Sequence, residues 1–186
     1  MNAVAVILAA GRGRRAGGPK ALHPFAGRPW WQVQQARLDQ LRIESIWVVS
    51  EAVKQAMAPA PVTTCVVDPD APMFVSVLKG VEAAGPRRDV FILPVDVPAS
   101  TDNNLWRSLA LSGQPAAPRF GEQSGHPIFL PATWRRTHLA HVGPNDRLDD
   151  LIRPSRIEIP VSDPLVACNL NTPEDWKRLE ELQSAS

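Results

Sequence analysis

In the first half of the chain, apolar residues gather in short, β-branched runs: VAVILAA (Val4 to Ala10), SIWVVS (Ser45 to Ser50), TTCVV (Thr63 to Val67) and VFILPV (Val90 to Val95). Runs this short, apolar at nearly every position, are expected of strands covered on both faces. Between them the spacing becomes helical. Trp30, Trp31, Val33, Leu38 and Leu41 fall on one side of a helix that leaves Gln32, Gln35 and Asp39 elsewhere. SVLKGVEAA (Ser76 to Ala84) predicts a second helix, with Ser76 placed as its N-cap. After Pro98 the pattern loosens into a helix near Asn104 to Leu111 and short strands at AAPRF and HPIFL. The last helix is better marked. Thr172, Pro173 and Asp175 form a capping box with proline at the first helical position, and Trp176, Leu179 and Leu182 share the inner face. Strands alternating with helices predict an α/β fold: a single-domain, doubly wound, mostly parallel sheet with helices on both faces.

A chain of 186 residues suits one domain spanning 1–186 better than two. Its 20 Lys and Arg against 19 Asp and Glu leave a formal net charge of +1, so no global field attracts nucleic acid or an anionic membrane. Any anion must be bound by local charge. Cys65 and Cys168 are far apart and outside any CxxC pattern, which argues against a disulfide framework or a structural zinc and reads as two small core hydrophobes. The apolar run at Val4 has no cationic segment before it and is too short to span a bilayer, so a cytoplasmic setting is expected. The 19 prolines are about twice the average share of ~5%. They sit at element edges, as in DPDAP (Asp68 to Pro72) and PVDVP (Pro94 to Pro98). No pattern fixes the oligomeric state, and a monomer is compatible with the sequence.

The chemistry begins where the first strand ends. In LAAGRGRRAGGPKAL (Leu8 to Leu22), Gly11, Gly13, Gly17 and Gly18 let backbone approach a ligand, and Arg12, Arg14, Arg15 and Lys20 bring positive charge to the same place. A polyphosphate is the natural occupant. GRGRRA has the GxGxxG/A form of a dinucleotide loop, but Gly17, Gly18 and Pro19 spoil the helix that form requires, and Glu51 lies too far on. A P-loop fails as well, because no GK[ST] follows. In an open α/β sheet ligands bind outside the carboxyl ends of the strands, where Gly11, Asp68 and Asp96 are all expected.

Taken whole, LAAGxGxRxGxPK followed by GRP at Gly27 to Pro29 resembles the signature of nucleotidyltransferases of the nucleotide-diphospho-sugar transferase fold. MFVSVLKG (Met73 to Gly80), SGHPIFLP (Ser124 to Pro131), GPNDRLDDLI (Gly143 to Ile152) and NLNTPEDW (Asn169 to Trp176) resemble, in order and spacing, segments of the molybdenum cofactor nucleotidylyltransferases. The LAAG start, the proline before Lys20 and GHP are most similar to the cytidylyltransferase branch. The guanylyltransferase branch usually has a second glycine at Ala10 and an aspartate at Pro19.

The resemblance implies a donor, an acceptor and a metal. CTP is the favoured donor, with GTP the guanylyl branch's equivalent. The acceptor is a phosphorylated small molecule, molybdopterin or its molybdenum form, and Mg2+ is the cofactor. It implies nucleotide contacts at Leu8, Ala9, Ala10, Gly11, Gly13, Arg15, Lys20 and Ser76, with Arg15, Lys20 and Asp96 as catalytic residues. Asp96 and Asn171 fall at metal-binding positions, the latter where many relatives have aspartate, and His126 falls near the acceptor. Ala16 replaces a usual methionine. Arg12 and Arg14 are read as solvated, and His138 and His141 as surface or packing residues. Asp146, Arg147, Asp149 and Asp150 either border the acceptor pocket or form the solvated start of a helix. Two rivals stay open: a sugar-1-phosphate nucleotidyltransferase, and a nucleotide-binding module without turnover, which the neutral Asn171 permits.

Overall fold

A computed structural model describes residues 2–14 and 17–184 of the chain. In chain order the elements are β1 (Ala3–Ala9), β2 (Pro24–Phe25), β3 (Arg28–Pro29), α1 (Trp30–Gln40), β4 (Glu44–Val49), α2 (Glu51–Met57), β5 (Thr63–Val66), α3 (Met73–Ala84) and β6 (Asp89–Pro94). There follow α4 (Asn103–Leu111), β7 (Ala116–Phe120), β8 (Gln123–Ser124), β9 (Ile128–Leu130), α5 (Ala132–His138), α6 (Leu148–Ile152), β10 (Ile157–Pro160) and α7 (Pro173–Ser184). One eight-stranded sheet runs β10-β7-β9-β6-β1-β4-β5, with β8 paired to β7. β9 alone runs antiparallel to both its neighbours, β6 and β7, and the β8 ribbon is antiparallel to β7. The predicted α/β architecture with a mostly parallel sheet is the one observed.

β1 organises the sheet. It pairs in parallel with β4 on one edge and β6 on the other, and all seven of its residues are buried. Its side chains alternate between two cores: Ala3, Ala5, Ile7 and Ala9 face α1, α2, α4 and α7, and Val4, Val6 and Leu8 face α3, α5 and α6. The chain leaves β1 through α1 toward β4 and β5, and returns through α3 to β6 on the opposite edge. The carboxyl ends of β1 and β6 therefore flank the crevice where an α/β sheet of this winding receives ligands.

Several elements differ from the sequence reading. α3 begins three residues before Ser76, with Val75 N–H donating to the Pro72 carbonyl at 2.9 Å, so Ser76 is a buried residue within the helix and not its N-cap. α2 was not predicted. Ser50 caps it by accepting from Val53 N–H, but only Val53 and Met57 are buried, too few positions to mark a period. α5 and β10 were likewise missed, and Leu182, expected inside, is 46% exposed. Cys65 and Cys168 are only half-buried and unpaired with each other.

Gly80 is where α3 lies closest to the sheet. A methyl group there would run into the Val6 side chain and press on Val48. Overpacking of a tight core costs ~1–3 kcal/mol, and alanine regains about 1 kcal/mol of helix propensity. Gly80→Ala is expected to lose up to about 2 kcal/mol of stability in urea unfolding. A midpoint at or above wild type would show that α3 moves away without penalty.

Candidate active site

The loop after β1 is folded back on itself. Gly13 has a φ of +59°, and its carbonyl accepts from Gly18 N–H at 3.1 Å. Any side chain on Gly13 would overlap the Gly18 carbonyl, so this position needs glycine for both conformation and space. Pro19 then leads into a single 3-10 turn, Lys20–Leu22, which directs Lys20 toward the strand ends. Arg12 is exposed, as expected, and on that surface it makes a paired contact with Asp70 of the β5–α3 loop, Nε to Oδ1 at 2.6 Å and Nη2 to Oδ2. That hydrogen bonding holds the Asp70 carboxyl below its ordinary range and raises Arg12. Arg14, 80% exposed, stands 3.8 Å from the same carboxylate. Arg15 and Ala16 lie outside the described residues.

Asp96 is positioned by a buried polar device. Trp30 Nε1 donates to the Val95 carbonyl at 2.6 Å and Gln34 Nε2 to the Val97 carbonyl at 2.7 Å, while Gln34 Oε1 accepts from Ala99 N–H at 2.8 Å. Gln34 is fully buried, and Val95 N–H continues the sheet by donating to the Leu8 carbonyl at 3.0 Å. The carbonyls of the residues on both sides of Asp96 are thus fixed. Sequence reasoning missed Gln34; its one signal is a polar residue four positions after Trp30 on the apolar stripe of α1.

A third segment joins them. Leu170 N–H donates to the Asp96 carbonyl at 2.8 Å and brings Asn171 alongside. The predicted capping box is present: Asp175 Oδ2 accepts from Asn171 N–H at 2.9 Å and Thr172 N–H at 2.8 Å, and Thr172 Oγ1 accepts from Asp175 N–H at 3.3 Å. These hydrogen bonds, the one from Thr172 foremost, hold the Asp175 carboxyl below its usual range. Beneath the turn, Trp176 stacks on His23 with ring centroids 4.1 Å apart and meets Trp30 edge-on at 5.2 Å. The lysine turn, α1 and α7 share this aromatic cluster.

At the junction Lys20 Nζ donates to Asp96 Oδ2 and to Asn171 Oδ1, each at 2.7 Å. The Lys20 and Asp96 side chains are 16% and 24% exposed. One carboxylate and one amide oxygen thus converge on a single cation, a hard-oxygen pair of the kind that holds Mg2+ when phosphates and water complete its shell. Among the described residues no group of three or more His, Cys, Asp or Glu side chains gathers as a metal site, at this junction or elsewhere.

A cavity of about 420 Å3 opens over this junction, a suitable size for a small-molecule ligand. Leu8, Ala10, Gly11, Gly13, Lys20, Ser76, Asp96 and Asn171 all line it, as does Asp68, expected at a strand end, together with Arg14 and Met73, which the sequence reading did not place there. Ala9 does not: it is buried in the opposite core, as strand alternation requires. His126 lines a second cavity of about 440 Å3, which shares Leu8, Met73 and Pro94 with the first. His126 N–H bonds the Val166 carbonyl at 2.8 Å, outside the β9 ladder, and its Nδ1 is buried without a partner. Burial pushes the imidazole below its ordinary range, against the Ile92 backbone hydrogen bond and the Asp96 charge, so the ring is neutral at pH 7. Asp146, Arg147 and Asp149 also line this cavity. Arg156 is tied to Asp149 and Glu158, while Arg147 is exposed with no ion pair among the described residues. His141 is exposed, and the exposed His138 stacks on Trp134 within α5. Among the described residues no helix is long and apolar enough to cross a membrane.

A family model described as the MobA-like NTP transferase domain matches residues 5–158. Among curated proteins none matches at a significant level. Solved structures share the fold along almost the whole chain. Rv0371c of Mycobacterium tuberculosis H37Rv, in complex with manganese, has a TM-score of 0.76 and 23% identity over 97% of this chain and 99% of its own. A nucleotidyl transferase of Methanothermobacter thermautotroptrophicus, Mth528, has a TM-score of 0.76 and 23% identity over 98% of each chain. Molybdopterin-guanine dinucleotide biosynthesis protein A of Archaeoglobus fulgidus has a TM-score of 0.73 and 14% identity over 98% of this chain and 99% of its own. At these identities the likeness establishes the fold.

Two measurements test the scaffold of the site. Gln34→Leu keeps the side chain's bulk but orphans the Val97 carbonyl and the Ala99 N–H, each at ~1–3 kcal/mol, so a loss of about 2–6 kcal/mol is expected in urea unfolding. A wild-type midpoint would mean that water replaces the amide. For Asp175, a depressed folded-state pKa means stability that is full at neutral pH and is lost as pH falls below about 4. The melting temperature of Asp175→Asn should therefore fall less steeply with acidification than that of wild type. Parallel curves would remove Asp175 from the acid response.

Proposed function

Because the chain belongs to the family of MobA-like NTP transferase domains, we propose that it is a Mg2+-dependent nucleotidyltransferase that moves a nucleotidyl group from CTP to molybdopterin or its molybdenum form. One observation carries this reading: Lys20, Asp96 and Asn171, from three distant segments, meet at a triphosphate-sized cavity that shares Leu8, Met73 and Pro94 with a second cavity lined by the exposed Arg147. This supports reading the two cavities as adjoining seats for donor and acceptor.

In the proposed reaction an anionic phosphate oxygen of the acceptor attacks the α-phosphorus of the nucleotide. A bond forms between that oxygen and the α-phosphorus. The bond from the α-phosphorus to the oxygen bridging it to the β-phosphorus breaks, and pyrophosphate leaves with the electron pair. The nucleophile is already an anion, so no general base is required. Bound Mg2+ supplies charge neutralisation and orientation of the phosphates. Asp96 and Asn171 hold it through oxygen. The backbone at Gly11 and Gly13 admits the phosphates closely, and Lys20 offsets the charge gathering on them. Arg15 is assigned the same task by family resemblance. Ser76 borders the nucleoside, and Arg147 with His126 receives the acceptor's phosphate end. CTP rather than GTP rests on the branch resemblance of the LAAG start, the proline before Lys20 and GHP.

A nucleotide at ~100 times its dissociation constant stabilises the fold by about 2.7 kcal/mol, so CTP with Mg2+ is expected to raise the melting temperature more than GTP, UTP or ATP. With molybdopterin as acceptor, Asp96→Ala should slow pyrophosphate release by roughly 100-fold or more. Arg147→Ala should raise KM for the acceptor and leave the CTP melting shift intact. Release at the wild-type rate by Asp96→Ala would overturn the mechanism, and turnover with a sugar phosphate but not molybdopterin would overturn the acceptor.

A further inference from the structure

We infer that Lys20 is a built-in occupant of the divalent-cation seat, so that Asp96 and Asn171 accept a metal only when a triphosphate draws the ammonium away. The inference rests on the reading of Asp96 and Asn171 as the metal-holding pair. The argument is geometric. Both oxygens point at one position, and Lys20 Nζ fills it at 2.7 Å from each. A divalent cation bound by the same two oxygens needs the same space, and at that distance from an ammonium it meets direct charge repulsion. The ligand set cannot overcome this unaided, because it holds one carboxylate and one neutral amide.

Lys20 also has somewhere else to go. It lies on a single 3-10 turn that ends a glycine-rich loop, and it lines the cavity proposed for the triphosphate together with Gly11 and Gly13. Phosphate oxygens there compete with Asp96 and Asn171 for the ammonium. As Lys20 turns to them, the two oxygens it leaves behind become free to ligate. One lysine thereby makes nucleotide binding and metal binding a single coupled event. The coupling is reciprocal, so the cation must raise the affinity for triphosphate by the factor that triphosphate raises the affinity for the cation.

Asn171 takes part in this arrangement as more than a weak substitute for aspartate. A second carboxylate would raise the attraction for a free divalent cation and for the lysine alike. With an amide, the seat carries one negative charge, which the one ammonium neutralises.

The test uses Mn2+ with the full chain, followed by water-proton relaxation, which is enhanced when the ion tumbles with the protein. Wild type without nucleotide is expected to give little enhancement, and wild type with CTP or GTP a large one. Lys20→Met, without nucleotide, should bind Mn2+ at least about tenfold more tightly than wild type. Lys20→Gln provides a second uncharged variant should the first fold poorly. The gain must vanish in Lys20→Met combined with Asp96→Asn. If wild type alone binds Mn2+ through Asp96 as tightly as the lysine variants, the inference falls while the proposed function stands. If no protein retains Mn2+ in any condition, with nucleotide or without, the metal assignment itself falls and takes the inference with it.

Discussion

The structure depends on a strand with no free face and no free edge. β1 is buried on both sides by helices and paired on both edges with parallel strands, so the only direction left for chemistry is its carboxyl end. There the chain must turn out of the sheet, and the glycines after Ala10 let it do so while leaving the strand end open. The tightness of Gly80 against Val6 and Val48 on one face, and the aromatic packing under α1 on the other, hold that end still. The strand end is thus the anchored point around which the loops of the site are placed.

What is assembled there comes from three loops with little structure of their own. Each is held by hydrogen bonds to something better anchored: the loop after β6 by Trp30 and Gln34, the turn before α7 by the Asp96 carbonyl, the cationic loop by its own Gly13–Gly18 bond. Buried amides make these links directional, as hydrophobic contact alone would not. The arrangement also separates tasks. α1 fixes peptides, so the side chain of Asp96 is left free to bind, and the capping box of α7 satisfies Asp175 and leaves the Asn171 side chain free for the junction.

Much of this was legible in the sequence, for physical reasons. The apolar runs of β1, β4 and β6 admit no other reading than covered strands, and the ligand-binding ends of such a sheet follow from its winding. The capping box at Thr172 was legible because it is local chemistry within four residues. Ser76 misled for the converse reason: serine is a good N-cap, but the three residues before it continue the helix, and its side chain instead lines the cavity. The ion pair of the exposed Arg12 was not legible because its partner, Asp70, lies 58 positions away. Gln34 was invisible because a polar residue on an apolar stripe is normally a blemish, and only the carbonyls it meets reveal its purpose. The elements missed, α2, α5 and β10, are short and bury few side chains, so they write little periodicity into the chain.

The aromatic cluster beneath the junction has an optical consequence. Trp176 lies stacked against His23, three residues from Lys20, and touches Trp30, whose indole N–H holds the peptide before Asp96. Indole emission responds to nearby charge and to the solvation of its N–H. The protein therefore carries intrinsic fluorophores wired to two of the three loops that make its site, and the state of that site is written into its ultraviolet spectrum without any added label.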